Sequence, residues 1–104
     1  MNTPTDAAGL RMTVHRVSNE AFKLAQQFVA SPSDLDQLEV SAKEINRQLD
    51  DLWPLIKSVD VNEQADLSQA WSDARLDVDY VLSGGELSTS TRLYYYLQGL
   101  KTKK

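Results

Sequence analysis

The sequence predicts an all-α fold: an antiparallel up-down-up bundle of three long helices with a short C-terminal fourth helix. Three observations carry this. Apolar residues recur with a heptad period that no strand can use, the same stripe returns at the same phase in three successive segments, and the turns between segments are too short for anything but antiparallel neighbours.

The middle segment is the most legible. Leu35, Leu38, Ala42, Ile45, Leu49, Leu52, Ile56 and Val59 follow one another at spacings of 3, 4, 3, 4, 3, 4 and 3, one buried stripe on one helix. Its start reads from Ser31-Pro32-Ser33-Asp34: a hydroxyl for the free amides, a proline where no donor is needed, and a carboxylate at the positive end of the dipole. Pro54 falls inside the helix, where it removes the amide bond to the Asp50 carbonyl and predicts a bend over Asp50 to Trp53.

The first segment opens with the same grammar, Thr3-Pro4-Thr5-Asp6, and its stripe runs Leu10, Val14, Val17, Ala21, Leu24, Phe28. Gly9 weakens the first turns and predicts fraying up to residue 10. In the third segment Asp60 is the candidate cap, Glu63 completes a capping-box pattern, and Leu67, Trp71, Ala74, Val78 and Val81 form the stripe. Gly84-Gly85 ends it, since glycine accepts positive φ without steric penalty. Equal helices joined by short turns account for the repeat of about 28 residues. Beyond it, Ser88-Thr89-Ser90-Thr91 is turn-like or cap-like, and Leu93, Leu97 and Leu100 line one helical face. Tyr94-Tyr95-Tyr96 has high strand propensity but finds no second strand, so a short fourth helix is expected, with residues 101–104 as a basic disordered tail.

Composition bounds the function. A chain of 104 residues with 41% apolar and 25% charged residues is one folded domain, here residues 1–100. With no cysteine and one histidine, disulfides and thiolate metal sites are excluded, and neither a metal nor a cofactor is expected. No stretch approaches ~20 apolar residues, so no membrane span is expected. The start, Met1 to Asp6, has neither a basic nor an apolar run, which predicts a cytoplasmic protein. Positions 1–100 carry 8 basic and 15 acidic residues, and the basic residues cluster only at Lys101, Lys103 and Lys104, which disfavours nucleic acid as a partner.

Several side chains are candidates for contact with a partner. Trp53, one step off the stripe beside Pro54, and Leu55 are either an anchor on a bent helix or packing beneath the fourth helix. Tyr94, Tyr95 and Tyr96 splay by about 100° each, so at least one ring reaches solvent or a partner. From Asp60 to Glu86 the chain has seven acidic residues against Arg75 alone; Asp66, Asp73 and Asp77 are the expected acidic face, a solvated polar face, one open to a basic partner, or one turned toward Arg11, Arg16 and Lys23 of the first helix.

His15-Arg16-Val17-Ser18-Asn19 resembles the phosphoacceptor segment of one class of histidine kinases, whose helical hairpin dimerises into a four-helix bundle. The resemblance implies that His15 accepts a phosphoryl group and that Asn19, one turn along, orients it. Ser18 stands where that family usually has lysine, and no glycine-rich nucleotide-binding domain follows the hairpin.

The residues favour a non-enzymatic protein–protein interaction module, an adaptor, regulator or inhibitor that presents a helical surface to another protein. The alternative is a histidine phosphotransfer or dimerisation module using His15. A homodimer is open in either case, because the second apolar line on the first helix, Phe22, Ala25 and Val29, can be buried within one chain or between two.

Overall fold

A computed structural model describes residues 7–102. It contains α1 (Ala7–Ala30), a single 3₁₀ turn (Pro32–Asp34), α2 (Leu35–Lys57), α3 (Val61–Leu82) and α4 (Thr91–Thr102), and no strand among the described residues. Side-chain pairs fix the topology. Arg11 meets Glu63, His15 meets Asp66, Ser18 meets Ala70 and Phe28 meets Tyr80, always 51 or 52 residues apart, so α1 and α3 run parallel in a constant register. Joined to both by short turns, α2 runs the opposite way, and the up-down-up bundle follows.

The stripes read from the sequence are the core. All six α1 residues from Leu10 to Phe28 are buried, as are Ala42, Ile45, Leu49, Leu52 and Ile56 of α2 and Leu67, Ala74, Val78 and Val81 of α3. Each fully buried valine, leucine or isoleucine contributes about 1.5–3 kcal/mol by leaving water. Leu35, Leu38 and Val59, toward the two ends of α2, are half-buried and pack against the edge of the core.

The helix ends depart from the expected caps in three places. Ser31 makes no side-chain cap; its carbonyl accepts from the Asp34 amide at 3.0 Å, and the tight turn this closes delays the α-helix to Leu35. The Asp60 carboxylate accepts from the Asn62 amide, an ordinary N-cap bond, but Glu63 reaches across to Arg11 instead of back to Asp60, so the reciprocal capping box does not form. Helix α1 is already formed at Gly9, whose carbonyl accepts from the Thr13 hydroxyl at 2.9 Å. The Thr3 to Asp6 start lies outside the described residues. Helix α2 continues through Pro54 to Lys57.

The glycine stop behaves as expected. Gly84 and Gly85 have φ of +69° and +87°; the Gly85 amide donates to the Tyr80 carbonyl at 2.8 Å and the Gly84 amide to Val81 at 3.0 Å, the two bonds of a Schellman ending. A Cβ on Gly84 would meet nothing, whereas one on Gly85 would come within 3.3 Å of Phe28 and 3.4 Å of the Tyr80 hydroxyl. Gly84→Ala is therefore expected to cost about 1 kcal/mol from backbone strain alone, and Gly85→Ala more, as read from urea midpoints; equal midpoints for the two variants would mean that the crowding at Gly85 relaxes freely.

Helix α4 lies on α1 and α3, and its backbone does not approach that of α2. Arg92 meets Ser18 and Tyr96 meets Phe22, both 74 residues apart, so α4 advances along α1 in the same sense. Of the second apolar line on α1, Ala25 is buried and Phe22 is half-buried under Tyr96 and Arg92, while Val29 is half-buried. The helix runs on to Thr102, so Lys101 and Thr102, expected in the disordered tail, are helical. Lys103 and Lys104 lie outside the described residues.

Candidate functional site

Helix α4 buries one residue completely, Leu93, so something besides apolar area has to hold it. That something is a polar latch. Asp77 of α3 is fully buried, and its Oδ2 accepts from Arg92 Nε at 2.9 Å and lies 2.7 Å from Arg92 Nη2. Arg92 Nη2 also donates to the Ser18 carbonyl of α1 at 2.8 Å, and the guanidinium lies over the Phe22 ring, 4.8 Å from its centroid. The Ser90 hydroxyl donates to Asp77 Oδ1 at 2.5 Å and accepts from the Leu93 amide at 3.2 Å, so one buried side chain both caps α4 and bonds the carboxylate. Burial pushes the Asp77 carboxyl above its ordinary value, against the pull of Ser90 and Arg92, and nearby Asp73 adds to the rise.

This corrects the expected acidic face. Asp77 is no surface charge: it stands in the buried 3–4 register Leu67, Ala70, Ala74, Asp77, Val81 and faces Arg92. Asp66 and Asp73 remain on the outer side of α3, where Asp73 accepts from Gln69 at 3.1 Å and Asp66 faces His15. The acidic helix is also turned partly toward α1, through Arg11–Glu63 and His15–Asp66.

With Leu93 as the inward side of α4, Tyr94 and Tyr95 point out, at 51% and 68% exposure, their rings edge to face at 5.6 Å. Tyr96 turns back and sets its ring edge-on to Phe22 at 6.1 Å, half-buried. Among the described residues, eight large apolar side chains are exposed, and four of them, Leu87, Tyr94, Tyr95 and Leu100, fall within this C-terminal stretch. The latch and the exposed tyrosines thus occupy opposite sides of one helix.

Trp53 and Leu55 are not part of that surface. Trp53 lies between α2 and α3, its ring 4.5 Å from Trp71 at 38°, with the Lys57 ammonium 5.1 Å from its centroid, and Leu55 packs half-buried against the core. The fourth helix is not above Trp53, because α4 sits on the α1 and α3 side. Trp71, in turn, donates its indole N–H to the Leu49 carbonyl at 2.7 Å.

His15 lies on the α1 surface, 46% exposed, with Nε2 3.4 Å from Asp66 Oδ2. Asn19 is exposed one turn along, and both line a shallow surface of about 440 Å³ together with Met12, Arg16, Glu20 and Lys23. Among the described residues no group of three His, Asp or Glu side chains is placed to hold a metal ion, and no helix is long and apolar enough to cross a membrane. In comparisons with protein-family models, curated proteins and solved structures, nothing matches this chain, and the likeness around His15 rests on its five residues alone.

The latch is what sequence reasoning missed. From the sequence Arg92 has no assigned role, and Ser18 enters only within the His15 segment; the available signal was the spacing of Asp77 from Ala70 and Ala74, seven and three residues, which places a carboxylate on an apolar line.

Proposed function

We propose that this protein is a non-enzymatic interaction module that binds another protein through the outer face of α4. The observation that carries the reading is the exposed pair Tyr94 and Tyr95 on a helix fixed from behind by the Asp77–Arg92–Ser90 latch. Tyrosine offers contact area and a polar tip at small entropic cost, and a helix held rigidly before contact loses little freedom on binding. An adaptor, a regulator and an inhibitor all use such a surface.

The test is a photo-crosslinking group at position 98 to identify the partner, followed by titration with tyrosine variants. Tyr94→Ala and Tyr95→Ala are each expected to weaken binding about tenfold or more, as central aromatic anchors do, with unchanged thermal midpoints because neither ring is part of the core. Undiminished affinity in both variants would reject α4 as the contact surface.

A second reading, phosphoryl transfer through His15, has one observation in its favour: the imidazole is half-exposed in mid-helix with Asn19 one turn on. Against it stands Asp66, whose carboxylate faces Nε2, where a phosphoryl group would bring a second negative charge. Incubation with phosphoramidate separates the readings. The interaction module takes up no acid-labile phosphate, whereas phosphotransfer requires labelling that His15→Gln abolishes.

A further inference from the structure

Charge is divided along this chain in a way that bears on what α4 can bind. Residues 1–87 hold 7 basic and 15 acidic side chains, while residues 88–104 hold four basic ones, Arg92, Lys101, Lys103 and Lys104, and no acid. The last acidic residue is Glu86, just before the exposed Leu87. The whole of α4 is therefore free of carboxylates on a body with an excess of eight.

Within that segment the charges are not equivalent. Arg92 is turned inward onto Asp77 and the Ser18 carbonyl, so its cation is consumed by the latch. Lys101, in the last turn, is exposed, and the sequence adds two more lysines after it. Among the described residues the outer surface of α4 thus combines two aromatic rings, whose hydroxyls are donors, with the Lys101 ammonium toward the C-terminal end and no carboxylate on the helix.

Resting on the reading of α4 as the contact surface, we infer that the partner presents an acidic segment with interspersed apolar side chains to the Tyr94, Tyr95 and Lys101 face. The apolar groups meet the rings, and the carboxylates meet the lysines and the tyrosine hydroxyls. A protein segment fits this better than a phosphate polymer or a membrane. Helix α4 is about 18 Å long, and charges beyond a Debye length of about 8 Å are screened at physiological salt. A short acidic peptide can stay within that footprint, whereas a lipid plane or a nucleic-acid strand extends past it onto a body rich in carboxylates.

The experiment titrates the full chain against three fluorescent probes: a peptide of alternating glutamate and leucine pairs, an oligothymidylate, and vesicles of mixed phosphatidylcholine and phosphatidylserine. The peptide is expected to bind, to weaken about tenfold with Lys101→Glu and again with Tyr95→Ala, and to weaken with added salt. Circular dichroism of both variants should match the parent, since both side chains are exposed. Binding of oligothymidylate or vesicles in preference to the peptide would overturn the inference. Peptide binding that ignores both substitutions would overturn it as well. Should a crosslinked partner depend on Tyr94 and Tyr95 yet be indifferent to Lys101→Glu and to salt, the acidic chemistry fails while the α4 contact surface stands; tyrosine-independent capture would remove both.

Discussion

Arg92→Ala is expected to undock α4 while leaving the three long helices folded. Removing the cation strands a fully buried carboxylate with the Ser90 hydroxyl as its remaining partner, and breaking a buried pair from one side costs about 3–5 kcal/mol. The loss cannot exceed the docking free energy of α4, because once the helix lifts Asp77 meets water. At neutral pH, α4 amides should therefore exchange at least about a hundredfold faster, with α1 and α3 amides near Val17 and Val78 still protected. The pH dependence gives the cause away. The Asp77 carboxyl lies above its ordinary value in the folded protein, so its contribution is most favourable in acid and is lost as pH rises through the folded value. While α4 stays docked, the loss of Arg92 takes away a group that lowers the carboxyl. The deficit of the variant is largest at neutral pH and shrinks on acidification, and a deficit independent of pH would show that Arg92 acts through Phe22 or Ser18 rather than through Asp77.

The same latch shows where sequence stops being legible. A stripe such as Leu10, Val14, Val17, Ala21 specifies its own burial, because apolar period and helical period coincide and almost any partner helix satisfies it. A buried polar contact depends on two segments meeting at one depth. Asp77 and Arg92 are 15 residues apart across a turn, and Arg92 and Ser18 are 74 apart; no local pattern states either pairing. The Gly84-Gly85 ending was legible for the opposite reason, since positive φ is a demand each glycine meets by itself. Capping lay between the two: Asp60 caps the Asn62 amide as its local sequence suggests, while Glu63 was drawn off by Arg11, 52 residues away.

For the candidate surface, the tyrosine run predicted that some ring must face outward, and α4 decides which. Leu93 and Arg92 commit one side of the helix to α1 and α3, so Tyr96 turns inward onto Phe22 and Tyr94 and Tyr95 are left outside. Trp53 went the other way. Its position one step off the stripe could serve a partner or the fold, and its ring lies against Trp71, the stripe residue of α3 that is itself half-buried.

Trp71→Ala is accordingly expected to be the other large loss, about 3 kcal/mol, although Trp71 is not fully buried. One side chain makes three links between α3 and α2: the ring stack on Trp53 at 4.5 Å, the N–H bond to the Leu49 carbonyl at 2.7 Å, and a platform for Arg75, which lies 5.8 Å from the ring centroid and donates to Asp50 at 3.0 Å. Trp71→Phe keeps an aromatic ring and loses the hydrogen bond, so it should retain all but about 1–2 kcal/mol. A double-mutant cycle with Trp53→Ala isolates the ring pair, with an expected coupling of about 0.5–1.5 kcal/mol. The chain has two tryptophans, so in Trp71→Ala the emission reports Trp53 alone and should shift to the red as that ring gains water. A cost below about 1 kcal/mol with unshifted emission would mean that the pair contributes little to the α2 and α3 contact, and Trp53 would return as an anchor for a partner rather than a part of the bundle.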